Sequence, residues 1–291
     1  MEASDRPTAW WVGALERRLS NRDADEDRDL RLPVTFASDE EKRAALKFFN
    51  AAYRAEESGL AQAHVLSALV EAADPELARA LRLYGDEEGW HRQLLADFLE
   101  HLGGSVQPMG RVTGLLFRLY ARARRMDTIL LTNLMFETIG STTYRLTLAR
   151  VENPAVKRML TILTRDEAFH VPLNVHFLKR KLANASELEV LRLRAIFHVF
   201  FLALVLLPIA SRPKSRAFDR IETLELARAY ARELSRVFST ESGLPLVAPR
   251  LLLALLGVDG ARRGDEPHAA SVLAAERAED RASVRVTALS G

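Results

Sequence analysis

Two copies of one short pattern constrain this chain more than any other feature. Glu87-Glu88-Gly89-Trp90-His91 and Asp166-Glu167-Ala168-Phe169-His170 each read as an acid followed by Glu-x-x-His. On an α-helix, residues i and i+3 are neighbours on one face, so each copy aims a carboxylate and an imidazole at the same point. One such match means little in a chain with 39 acidic residues and seven histidines, where a solvated helix face explains it. Each copy, however, follows a segment that carries a further glutamate among small or apolar residues: Glu57 in the first case, and Glu137 within Leu134-Met135-Phe136-Glu137-Thr138-Ile139-Gly140 in the second. The separations nearly match, 31 residues from Glu57 to Glu88 and 30 from Glu137 to Glu167. Helix, turn and antiparallel helix over that distance retrace the rise of about 1.5 Å per residue and return the two glutamates to a similar height.

The punctuation supports helices of that length. Ser38-Asp39-Glu40-Glu41 is a capping box, in which serine and the glutamate three positions on satisfy free amides at a helix start. Asp74-Pro75 and Asn153-Pro154 place proline at its favoured first helical position, and Gly103-Gly104 closes the segment before it. Helices are expected over about 39–72, 75–102, 111–151 and 154–183, with further ones over 187–210, 219–239 and 245–257. No stretch alternates with period two, so no strand is expected. The expected organisation is an N-terminal leader of partial order (1–38), with a short amphipathic segment at Trp10–Leu19, then a bundle (39–185), helices packing on it (186–257), and a disordered polar tail (258–291).

Composition narrows the chemistry. The chain has no cysteine, which excludes disulfides, thiolate metal sites and cysteine nucleophiles; any metal must sit on nitrogen and oxygen. A net charge of +2 from interleaved charges gives no footprint for nucleic acid. The N-terminus lacks the apolar core of a secretory signal, and the apolar run from Ala195 to Ala210 is 16 residues, short of the ~20 that span a bilayer. A cytoplasmic protein with no membrane span is expected, that run forming a buried helix against a pocket. Four carboxylates turned into a core would be very costly without cations, so metal binding explains what packing does not. Glutamate with histidine suits iron or manganese better than calcium.

A glutamate on each of two helices with Glu-x-x-His on each of two others resembles the ferritin-like di-iron and di-manganese carboxylate proteins, and Arg165-Asp166-Glu167-Ala168-Phe169-His170-Val171 looks like the last metal helix of their oxygen-activating members. The resemblance spans about residues 40–183 and implies an all-α, ferritin-like four-helix bundle with additional C-terminal helices. It implies metal ligands Glu57, Glu88, His91, Glu137, Glu167 and His170; Glu56 competes with Glu57 for the first place, and Glu57 is taken because its spacing mirrors the other half. It also implies that the preceding acids bond the opposite histidines, Asp166 with His91 and Glu87 with His170.

Two irons, or manganese with iron, are the implied cofactor, with O2 as co-substrate. The implied activity is an oxidase or oxygenase that hydroxylates, desaturates or N-oxidises a small organic or acyl substrate. A ferredoxin or flavin reductase would supply electrons, and a homodimer is compatible with the bundle. Leu163 stands where arylamine N-oxygenases carry an extra histidine and Gly140 where rubrerythrins carry an extra glutamate, which disfavours both. The rivals are a ferroxidase or iron-handling protein and a non-catalytic bundle that keeps the metal for structure. Tyr53, Tyr84 and Tyr144 share helix faces with the expected ligands and read first as core residues whose hydroxyls find a partner; His64 is an outer candidate, and His176 and His198 read as structural or surface residues.

Overall fold

The computed structural model describes residues 3–20, 30–109, 114, 115, 123, 125–211 and 216–258. Among them every regular element is a helix. After a single turn at Ala3–Asp5 come α1 (Thr8–Ser20), α2 (Asp39–Val70), α3 (Pro75–His101), α4 (Met126–Leu148), α5 (Pro154–Leu182), α6 (Glu187–Ser211), the short α7 (Arg216–Asp219), α8 (Thr223–Val237) and α9 (Arg250–Leu255). The expected third segment begins at 111, but its first residues lie largely outside the described ones; α4 itself starts at Met126. The tail from 259 on lies outside them as well.

The helix starts are held as their sequences demand. Ser38 accepts from the Glu41 amide while Glu41 accepts from the Ala37 amide at 2.6 Å. Asp74 and Asn153 cap α3 and α5 just ahead of Pro75 and Pro154. α3 ends where Gly103 takes a φ of +73°, the left-handed turn glycine allows, and Gly104 donates back to the Leu99 carbonyl at 2.9 Å.

α2 pairs along its length with α3, and α4 with α5, and these four helices form the bundle. Their apolar interior falls into two clusters. One, around Phe49, Phe98, Leu99, Leu160 and Leu163, fills one end. The other, around Leu66, Leu81, Leu134, Phe177 and Leu178, fills the other end and continues into α1, α6 and α8. Between them lies a layer of buried polar side chains: Glu56, Glu88, His91, Glu137, Glu167 and His170.

The short amphipathic segment expected within the leader falls in α1, which lies on the bundle with Trp11 and Leu15 fully buried, Trp11 edge-on to Phe169 at 5.3 Å between ring centroids. Burial of two large side chains outweighs the charged sequence around them. The helix expected over 187–210 forms, but the apolar run Ala195–Ala210 within it was expected to be buried against a pocket, and that needs correction. The run belongs to a 25-residue helix, α6, whose stretch Glu187–Ile209 is long and apolar enough by composition to cross a membrane. Only one face of it is covered: Phe197, Phe201, Leu204 and Val205 are buried, whereas Val199, Leu202, Leu206 and Ile209 are exposed.

Candidate metal site

Each side of the buried layer comes from an inward helix stripe. On α3, Leu81, Tyr84, Glu88, His91, Leu95 and Leu99 recur at three- and four-residue steps, and every one is buried. On α5 the stripe Leu160, Leu163, Glu167, His170 and Leu173 does the same. Periodicity that would place leucine in the core therefore carries the carboxylates and imidazoles there. Three groups offer atoms all within 4.8 Å of one another: Glu88, His91 and His170; Glu56, His91 and Glu167; Glu137, Glu167 and His170. The two imidazole centroids stand 5.6 Å apart.

Of the two candidates weighed on α2, Glu56 and Glu57, the structure brings Glu56 into the buried layer. Glu56 is buried and its Oε2 lies 3.6 Å from His91 Nδ1. Glu57 points outward with its side chain 39% exposed, bonded to Arg54 at 2.6 Å. The signal was present in the inward stripe of α2, Ala45, Phe49, Ala52, Glu56, Gly59, Ala63 and Leu66, which Glu56 continues and Glu57 leaves. Matching the two loop spans misled, because face rather than count decides which side chain enters the core. Gly59, one turn on from Glu56, leaves room for Glu88: a Cβ there would stand 2.7 Å from Glu88 Oε2.

The outer carboxylates pair as expected. Asp166 Oδ2 lies 2.9 Å from His91 Nε2, and Glu87 Oε2 lies 3.1 Å from His170 Nε2. Burial would raise the pKa of Asp166, but the His91 hydrogen bond and the Arg18 guanidinium outweigh it and hold that carboxyl well below its usual range. Glu87 is likewise lowered against burial, by His170 and Arg18. Ionised carboxylates only accept, so both Nε2 atoms donate, and both Nδ1 atoms face the layer of glutamates.

The inner glutamates are crowded. Burial, then the charges of Glu56 and Glu137, push Glu88 well above the usual carboxylate range; burial and Glu137 do the same to Glu167. Glu137 goes the other way, to about 2: burial is outweighed by Glu167, His170 and Tyr84 beside it, of which Tyr84 donates a hydrogen bond. His91 is raised to about 10, since Asp166 and Glu56 more than offset its burial. In this layer His91 Nδ1, His170 Nδ1, Glu88 Oε1 and Glu167 Oε2 are buried without a hydrogen bond. Imidazole nitrogens and carboxylate oxygens that converge in the core without a hydrogen bond are what a pair of cations would satisfy by displacing the protons held there, so the donor set fits two hard or borderline metal ions.

No family model matches the chain, and none of the curated proteins matches it. A solved structure does: an R2-like ligand-binding oxidase, a mutant with an aerobically reconstituted Mn/Fe cofactor, superposes with a TM-score of 0.55 at 14% sequence identity, over 81% of this chain and 93% of that one. The fold is ferritin-like.

Around the buried layer of this ferritin-like bundle, two tyrosines reach the glutamates. Tyr84 donates to Glu137 Oε1, and Tyr144 to Glu56 Oε1 at 3.4 Å. Tyr53 does neither; its ring centre lies 5.3 Å from the Arg54 guanidinium carbon. His64 stays outside, its side chain 48% exposed and 3.8 Å from Asp86. His176 bonds Thr8 and the Ser4 carbonyl, and His198 the Val247 carbonyl. Between α2 and α4 a narrow cleft of about 30 Å³ reaches Glu56, Glu88, Glu137 and Glu167 past Ala55, Ser58, Gly59, Phe136, Gly140 and Tyr144. Sequence reasoning missed one participant, Arg18 of α1. Its signal was the spacing of Trp11, Leu15 and Arg18 on one helix face.

Proposed function

We propose that the chain is a dimetal oxidase, holding two irons or manganese with iron on Glu56, Glu88, His91, Glu137, Glu167 and His170 and using O2 to oxidise a small organic substrate. The observation that carries this reading is the set of buried, unbonded Nδ1 and carboxylate oxygen atoms that converge between two apolar clusters. The oxidase with a Mn/Fe cofactor that shares the fold supports the choice of metals. Such a metal pair, when bound, supplies redox and Lewis-acid chemistry toward O2.

The chain's own groups do the rest. His91 and His170 present Nδ1 because Asp166 and Glu87 hold Nε2–H. Four glutamates match the charge of two divalent ions and give the layer carboxylates that can chelate or bridge. Tyr84 fixes one rotamer of Glu137 and Tyr144 leans on Glu56. Leu81, Leu95, Leu134 and Leu163 exclude water above and below. The narrow cleft past Gly59 and Gly140 is a route by which O2 could reach the layer; an organic substrate would need the cleft to widen, and hydroxylation, desaturation and N-oxidation remain equally open. Electrons would come from a reductase such as a ferredoxin or a flavoprotein.

Anaerobic loading with ferrous iron followed by rapid mixing with O2 tests the reading. The expected result is fast O2 uptake of about one molecule per iron pair whose oxidising equivalents pass to an added organic substrate. Sustained turnover of added ferrous iron into ferric mineral would replace the oxidase by a ferroxidase.

A further inference from the structure

Among the described residues, Arg18 of α1 reaches the site's outer carboxylates from outside the four-helix bundle. Its Nε donates to Glu87 Oε1 at 2.9 Å and an Nη to Asp166 Oδ1 at 2.5 Å, while its carbon lies 4.4 Å from the centre of the Phe169 ring. The side chain is 16% exposed and the two carboxylates it meets are almost fully buried. Those same carboxylates use their other oxygens on the two imidazoles: Oε2 of Glu87 on His170, Oδ2 of Asp166 on His91. One guanidinium therefore ties together two arms, Glu87–His170 from α3 to α5 and Asp166–His91 from α5 to α3. A planar fork with several fixed donors can do this; a single ammonium point cannot span both.

We propose that Arg18 is a positioning residue for the metal site: by clamping Glu87 and Asp166 at once it sets the orientation of both histidines, and so makes docking of α1 part of building the site. This rests on the dimetal reading above. The two arms differ in their support. Asp166 also meets Arg165, at 2.7 Å, on its own helix, whereas Arg18 is the arginine that meets Glu87 among the contacts described. Loss of the clamp should loosen both arms, the His170 arm more.

Cobalt(II) is the probe, because a cobalt-bound imidazole shows its far N–H as a strongly shifted, exchangeable proton resonance. The full chain is loaded with cobalt(II), and affinity and proton exchange are measured for the parent, Arg18→Met, which keeps an apolar stem on Phe169, and Arg18→Lys. Leu99→Ala, in the other apolar cluster, controls for lost stability. The parent should show two such resonances. Arg18→Met should bind cobalt(II) about tenfold more weakly with both protons exchanging faster, the His170 one most, and Arg18→Lys should fall between. The proposal is overturned if Arg18→Met matches the parent in affinity and exchange, or if Leu99→Ala shifts both as far. A parent chain that takes up no cobalt(II) would sink the dimetal reading and this inference with it.

Discussion

One step along an α-helix turns a side chain through about 100°, enough to move a carboxylate from the core to the surface. Glu56 and Glu57 show this: the first faces His91, the second is held by Arg54 in solvent. Glu56→Ala should therefore abolish or weaken one metal position, seen as a drop in metal bound per chain, while Glu57→Ala should bind as the parent does. Tyr84→Phe removes the donor to Glu137 and should destabilise the metal-free protein by ~1.5–3 kcal/mol in urea denaturation, the cost typical of a hydrogen bond to a buried charge. Five of the six residues in the layer were legible from the Glu-x-x-His repeat and the apolar setting of Glu137. The sixth, Glu56, was named only as the alternative to Glu57 because equal spacing was given more weight than the α2 stripe, whose small members Ala52, Gly59 and Ala63 are weak hydrophobic markers.

Among the helices, α2 and α3 approach closely where Gly59 faces Glu88. Gly59→Ala should lower metal affinity, because its Cβ would displace the Glu88 carboxylate. The metal-free protein should change by no more than ~1 kcal/mol, since alanine favours the helix by about that amount over glycine. Calorimetric metal titration beside urea denaturation separates the two effects. The bundle helices could be read from caps, Pro75 and Pro154 and the inward stripes. α1 was legible only as an amphipathic segment with Trp11, Leu15 and Arg18 on one face; where they land, against Phe169 and between Glu87 and Asp166, depends on partners more than 60 residues distant in sequence. α6 misled for the opposite reason. Its apolar residues run all round the helix, so hydropathy alone reads as burial, while Val199, Leu202, Leu206 and Ile209 stay uncovered.

Taken as a whole, the metal-free molecule stores protons where a metal would bind. His91, raised from 6.5 to about 10, contributes stability that is fully present below pH 6.5 and is lost as pH rises toward 10. Glu88 and Glu167, raised by burial and their neighbours' charges, act in the same sense from pH 4.5 upward. Asp166 and Glu87, depressed, contribute stability that is lost as pH falls below the ordinary carboxylate range. Metal-free protein should therefore melt at progressively lower temperature as pH rises from neutral toward 10, and metal-loaded protein should not. Metal uptake at neutral pH should release protons, measured as a dependence of the binding heat on the buffer's ionisation enthalpy. Where the metals sit can be seen in crystals of the iron-loaded chain, by anomalous diffraction at the iron edge. Two peaks should lie in the layer bounded by Glu56, Glu88, Glu137 and Glu167, one within bonding distance of His91 Nδ1 and the other of His170 Nδ1. No peak there, with Glu88→Ala and Glu167→Ala binding as much iron as the parent, would contradict the dimetal site.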